Sequence, residues 1–261
     1  MEFFKVGLIK VIVSLVFLLS ASYFDYKERE VPDTVWALFI PIAASLTIYE
    51  LYLSGFAWPL LTKVLLSIVL STALFLVVSY VGLYGGADAK ALISLSVLMP
   101  VLPEGFKPVL GCLAPFLPIS FFNNSVILSL MAIPYVIALN LLWKIRRKSP
   151  LFKGFEAESI LKKIAALAFC VKVDKSRVKP YDSIAEDVVV TPEGKILRKL
   201  RLSWKAEEER DVDYKALPQE VFVSFSIPMI VFITLGFLVT LFLGDLVIWI
   251  VESFFQLLLA T

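Results

Sequence analysis

Residues 4 to 24 run almost unbroken through Phe, Val, Ile and Leu, and comparable runs recur along the chain. Several are long enough to cross about 30 Å of hydrocarbon as a helix. Within a bilayer no water satisfies backbone N–H and C=O groups, so a continuous apolar run must satisfy them internally, as a helix does. A composition that is 59% apolar, against about half in soluble domains, places the chain among polytopic membrane proteins. The first run is too long for a signal peptide and lacks a small-residue cleavage site, so it reads as a retained helix, with Lys5 and Lys10 snorkelling to an interface. Pro32-Asp33 opens a second span from Thr34 to Leu53, with Asp33 expected to cap it. A third span runs from Trp58 to Val81, and a shorter fourth reaches Met99. Five prolines between Pro100 and Pro118 predict an irregular segment before a fifth span, Val126 to Trp143. A sixth, Val221 to Leu243, is followed by an apolar tail after Asp245 suited to the interface.

The cluster Lys144-Ile145-Arg146-Arg147-Lys148 halts the fifth span, and from there to Glu220 the chain holds most of its charge and no spanning run. Glu156 to Ala168 reads as an amphipathic helix. Alternation in Phe169 to Val178 and in Lys195 to Trp204 predicts strands, with Thr191-Pro192-Glu193-Gly194 as a turn. Glu207-Glu208-Glu209 is either a solvated loop or a grip for a basic peptide. The expected fold is therefore an all-α membrane protein of six transmembrane helices, with a small α+β domain inserted before the last. Residues 1–144 form a five-helix membrane domain, 145–220 a soluble domain, and 221–261 the sixth helix and tail. Lys27, Arg29, Lys90 and the Lys144–Lys148 cluster fall on one side if the spans alternate, against Lys5, Lys10, Lys63 and Lys107 on the other. The positive-inside rule makes the first side cytoplasmic, with the inserted domain there and both termini outside.

The chain has no histidine, which removes Ser-His-Asp and Cys-His catalysis and the His-Glu-x-x-His zinc proteases. Cys112 and Cys170 show no paired metal-ligand spacing, and no metal, cofactor or nucleic-acid partner is expected. Carboxylates remain. Asp88 lies in Tyr84-Gly85-Gly86-Ala87-Asp88-Ala89-Lys90, between the third and fourth spans, and Asp25 ends the first. An ionisable residue at the membrane edge is a functional candidate by default, and Gly85 and Gly86 allow a tight turn and close approach. Two spans separate the aspartates, so they share the cytoplasmic face. A pair of carboxylates sharing a proton can activate water with one member and polarise a scissile carbonyl with the other.

Gly85-Gly86-Ala87-Asp88 resembles the GxGD motif of membrane aspartyl peptidases, and Lys90 falls where type IV prepilin peptidases carry a lysine. Asp25 followed by Pro32-Asp33 is similar to those enzymes' first aspartate and the Pro-Asp opening their second span. Span order, inserted domain and length are most similar to the archaeal preflagellin and prepilin peptidases, the class III signal peptidases. The resemblance is close over residues 20 to 100 and architectural beyond. It implies Asp25 and Asp88 as catalytic residues, and Gly85, Gly86 and Lys90 as supporting ones, with Asp33 given a structural role. It also implies precursor proteins with short basic leaders (archaellins and pilin-like subunits) as substrates, cut on the cytoplasmic side of the bilayer. Ala87 departs from the motif's second glycine, which would disfavour a left-handed backbone there. Paired cysteines like those of the bacterial relatives are missing, so peptidase activity without methylation is expected.

Two other functions fit parts of the sequence. Lys90 and Ser94 are one helical turn apart, as a Ser-Lys hydrolase would need. A non-catalytic scaffold or transporter component with a partner-binding cytoplasmic domain is the other. The Pro-Ala-Leu motif of presenilin-type proteases does not occur. Lys90 is open to two roles, positive-inside anchor or electrostatic partner of the site. Glu28 and Glu30 either attract a basic leader or form an ordinary solvated loop.

Overall fold

The computed structural model describes residues 1–82, 84–178, 182–190, 196–201, 218–225 and 227–260. The Thr191–Gly194 turn and the Glu207–Glu209 triplet lie outside them, as do Lys195 and residues 202–204 of the predicted second alternation. The chain divides into two compact units, Met1–Ser129 with Pro228–Thr261, and Leu130–Ile227.

The first unit is helical: α1 (Glu2–Glu28), α2 (Asp33–Leu53), α3 (Trp58–Tyr80), α4 (Gly86–Leu98), α5 (Leu117–Ser129), α8 (Met229–Phe242) and α9 (Leu246–Ala260). Short α4 is its centre, packed against α1, α2, α3, α5 and α8. Ala91, Leu92, Leu95 and Leu98 of α4 are buried with Leu18, Phe39, Phe75, Phe121 and Phe237 in one core. Beyond its charged first turns α4 is enclosed on most sides, and its buried Ser94 and Ser96 donate back to the carbonyls of Lys90 and Leu92. The outer helices instead expose large apolar side chains, such as Ile12, Leu19, Leu38 and Val69, which suits lipid rather than water.

Hydrocarbon gives apolar surfaces little reason to leave it, so helices in a membrane associate through close packing and interhelical hydrogen bonds. Both occur here. A Cβ on Gly236 of α8 would sit 2.7 Å from the Ser125 backbone nitrogen and 2.8 Å from the Phe121 carbonyl oxygen, so α5 and α8 pack backbone to backbone. Across α1 and α8, the Ser22 and Thr234 hydroxyls are 2.8 Å apart. Asn124 of α5 donates to Thr240 Oγ1 and to the Gly244 carbonyl, both at 2.8 Å, and accepts from Leu246 N–H. That clasp spans the break between α8 and α9, where Gly244 takes φ 113° and the helices bend by 56°. Buried Asp245 caps α9 by accepting from Val247 and Ile248 N–H.

Lys10 corrects the sequence reading. It does not snorkel; it is 2% exposed, and its ammonium donates to Glu50 and to Thr47 Oγ1 of α2. A partner was on hand in the next helix, and pairing there removes the need to reach water.

Glu2–Glu28, Asp33–Leu53, Trp58–Tyr80 and the run Leu117–Arg147 are each long and apolar enough to cross a bilayer, and the bent pair Met229–Phe242 and Leu246–Leu259 makes a fifth if taken as one span. The 13 residues of α4 rise only about 20 Å. The fifth predicted span starts earlier than expected and is interrupted, as α5 followed by α6 (Ala132–Arg147). The apolar run read as a span from Val221 begins as a strand, and helix starts only at Met229, after Pro228.

Among the described residues the second unit holds α6, α7 (Ile160–Phe169) and four short strands: β1 (Cys170–Asp174), β2 (Glu186–Val190), β3 (Ile196–Leu200) and β4 (Glu220–Ser224). Antiparallel pairs join β1 to β4, with Lys172 opposite Phe222, and β2 to β3, with Val188 opposite Arg198. Leu151, Phe155, Ala166, Cys170, Leu200 and Phe222 form the core. Fully buried Asn140, in mid-helix on α6, donates to the Cys170 carbonyl at 2.7 Å and accepts from Lys172 N–H at 3.0 Å, pinning β1 to α6. Lys172 is also buried, its ammonium 2.6 Å from the Leu151 carbonyl oxygen and over the Trp143 ring. Loss of water pushes its pKa down to about 8, against the opposing pull of Glu220.

Two outcomes follow from these buried cations. Lys10→Met strands Glu50 and is expected to lower stability by about 3–5 kcal/mol, while Lys10→Met/Glu50→Leu recovers most of it; thermal unfolding in detergent reads both, and an unaffected single variant contradicts the pair. For Lys172, the unfolded chain binds more protons than the folded one between its folded value of about 8 and the ordinary lysine value near ~10.4. The cost of burying its charge is therefore complete below that window and is relieved as pH rises through it. Wild type should gain stability over Lys172→Met between about pH 8 and 10, and parallel profiles would contradict this.

Candidate active site

Helix α1 ends where Arg29 turns left-handed, φ 59°, with its N–H on the Asp25 carbonyl. Asp25 thus occupies the last turn. Its carboxylate crosses to α8 and accepts from the Ile230 N–H at 3.0 Å. The first turn of a helix has N–H groups without internal partners and carries the positive end of its dipole. Pro228, at the N-cap of α8, offers no side-chain cap. Asp25, 205 residues away, does that work.

Asp88 stands in the first turn of α4, and its Oδ2 accepts from the Gly85 N–H at 3.0 Å. Gly85 favours closeness rather than an unusual dihedral angle. Its φ is −68°, but a Cβ there would approach Asp88 Oδ2 to 3.1 Å. Gly86 has open space around its Cβ position. Ala87 is helical, not left-handed, so the departure from the glycine motif costs nothing in backbone strain. The two carboxylates lie near enough for the charge of Asp25 to act on Asp88.

Asp33 is not the cap of α2. Pro32 holds the N-cap position without a side-chain bond, and Asp33 Oδ1 instead accepts from Lys90 Nζ at 2.6 Å, tying the start of α2 to α4. With Asp33 82% and Lys90 47% exposed, that pair contributes no more than ~1 kcal/mol. The Ser-Lys arrangement does not form. Ser94 is fully buried and donates to the Lys90 carbonyl at 2.7 Å, the usual back-bond of a helical serine, while the Lys90 ammonium turns to Asp33.

Two neighbours of the pair were not singled out from sequence. Arg29 lies close enough to act on Asp25, and its Nε and Nη1 are buried without a partner among the described residues. Its spacing of four residues from Asp25 was the available signal. Tyr84 feels the charge of Asp88, rests its ring on Phe122 at 5.3 Å, and places its hydroxyl 3.3 Å from Ser125 Oγ.

Residues 12–143 match the type IV leader peptidase family. The chain belongs to that family. Residues 163–246 match the archaeal peptidase A24 C-terminus, type II. As a leader peptidase it is an enzyme, and the scaffold reading falls. It is 26% identical over 258 residues to a preflagellin peptidase of Methanocaldococcus jannaschii, covering 96% of this chain and all of that one. A preflagellin peptidase of Methanococcus voltae is 26% identical over 254 residues, covering 92% of this chain and 97% of the relative. One of Methanococcus maripaludis is 25% identical over 244 residues, covering 91% and 96%. The leader peptidase match thus takes in Asp25, Asp33 and Asp88, and the likeness to preflagellin peptidases runs through both units.

Proposed function

We propose that this leader peptidase is an aspartyl endopeptidase that cuts the short basic leader from archaellin-like or type IV pilin-like precursors, using Asp25, Asp88 and one water. The observation that carries the reading is the pair itself: two carboxylates on different helices, the charge of Asp25 reaching Asp88, each held by a backbone N–H. One member, ionised, takes a proton from water as it attacks the scissile carbonyl. The other, protonated, polarises the carbonyl oxygen, and the proton then passes to the leaving amine. Gly85 supports the geometry by leaving room for the Asp88 carboxylate, and Gly86, Ala87, Lys90 and Asp33 build the turn and its exposed brace.

The names of the relatives support a precursor with a leader as substrate. The proposed topology has six crossings, with α4 as a short fourth and the bent α8–α9 pair as the sixth. It puts both aspartates and the charged segment 145–220 on the cytoplasmic side of the cell membrane, between a membrane portion over 1–144 and a closing segment over 221–261. The Lys and Arg bias of the short loops supports that orientation.

Asp25→Asn and Asp88→Asn, each assayed in membranes with a pilin-like or archaellin precursor and read by mass spectrometry of the cut product, are expected to lose at least about a hundredfold in rate. Lys90→Gln, which touches only the exposed brace, should keep most of the activity. Cleavage near the wild-type rate by either aspartate variant would sink the assignment.

A further inference from the structure

Helix α6 turns from apolar to basic at its C-terminal end, and α7 packs against it. Between them and the connecting loop lies an open cleft of about 1050 Å³. Its walls are apolar, including Leu141 and Ile145 from α6, Phe152 from the loop and Leu167 from α7. Its polar lining includes Lys144, Lys148, Lys153 and Lys163, against one carboxylate, Glu156. That carboxylate is exposed and accepts from the Gly154 N–H at 2.9 Å; its charge acts on Lys163 and Lys153, and Lys163 Nζ donates to the Glu156 carbonyl at 3.3 Å, which leaves the lysines in excess. Lys144 and Lys148 make no ion pair among the described residues.

A cluster of ammonium groups over an apolar hollow fits an anion that carries hydrocarbon. Free phosphate would meet the lysines and leave the walls wet, and a basic leader would be repelled. The surroundings agree with lipid. Leu141 and Ile145 are 49% and 70% exposed at the end of an apolar helix, where such a helix meets the headgroups. On α7, Ile160, Leu161 and Ile164 are exposed beside Lys162 and Lys163, the pattern of a helix lying in the membrane interface.

We propose that the α6–α7 cleft is a binding site for an anionic phospholipid, its phosphodiester on Lys144, Lys148, Lys153 and Lys163 and an acyl chain along Leu141, Ile145, Phe152 and Leu167. This site is independent of the aspartate pair. Lysines near an anionic headgroup layer each contribute enough for roughly a fivefold gain in affinity.

The test is native mass spectrometry of the full, delipidated chain in detergent, titrated separately with phosphatidylglycerol, phosphatidylcholine and inorganic phosphate. Wild type should retain phosphatidylglycerol at least about tenfold better than phosphatidylcholine, and inorganic phosphate at the same concentration should not displace it. Changing all four lysines to glutamine should abolish the preference, and changing all four to arginine should keep it, with circular dichroism unchanged in both. If the fourfold glutamine variant fails to fold, Lys144→Gln/Lys148→Gln, at two exposed positions, should still cut the preference severalfold. Equal retention of the two lipids, a preference that survives the glutamine changes, or displacement by inorganic phosphate overturns the proposal.

Discussion

A carboxylate brought to the edge of a bilayer needs donors, and the one offered to Asp25 comes from the far end of the chain. The bond from Ile230 N–H to Asp25 fixes the C-terminal end of α1 to the start of α8. The Ser22–Thr234 contact continues the same seam one turn deeper. Because α8 also packs backbone to backbone on α5 through Gly236, the position of Asp25 is set by three helices. Asp88 is set by a different device, the first turn of the buried α4 and the N–H of Gly85. The two acids are thus held by different helices that pack on one another.

The stretch around Asp88 was legible because its signals are local: glycine where a side chain must curl back, an acid in a first turn, apolar runs on either side. Asp25 was legible through its place at the end of a span and its spacing to Pro32-Asp33. Partners distant in sequence were not legible. Nothing in the first span names Glu50 as the mate of Lys10, and nothing around Asp33 names Lys90 rather than its own helix as its partner. Arg29 looked like one more positive-inside charge. The last span was misjudged at its start because Val221–Ser224 is as apolar as a helix interior, yet pairs with β1 in the second unit. Short apolar runs do not distinguish strand from helix by periodicity.

The second unit reaches a similar end with different means. Asn140 and Lys172 are polar groups sealed in an apolar core and satisfied by backbone carbonyls, and Arg198 holds Glu186 at 2.7 Å. Such bonds are weak reasons for stability but strong reasons for one arrangement over others, since a slip of the β1–β4 register would leave each polar group unpaired in a dry place. Rigid framing of this kind suits a module that presents a fixed surface.

Cross-linking tests the central claim most directly. With Cys112 and Cys170 replaced by alanine, Asp25→Cys/Asp88→Cys can be oxidised in native membranes, with and without a precursor bound, and linked peptides identified by mass spectrometry. Ser22→Cys/Thr234→Cys, whose native hydroxyls are 2.8 Å apart, serves as the reference. A bond between positions 25 and 88 in at least one of the two conditions, at a yield near that of the reference pair, is the predicted result. A reference pair that links while positions 25 and 88 never do would contradict the account.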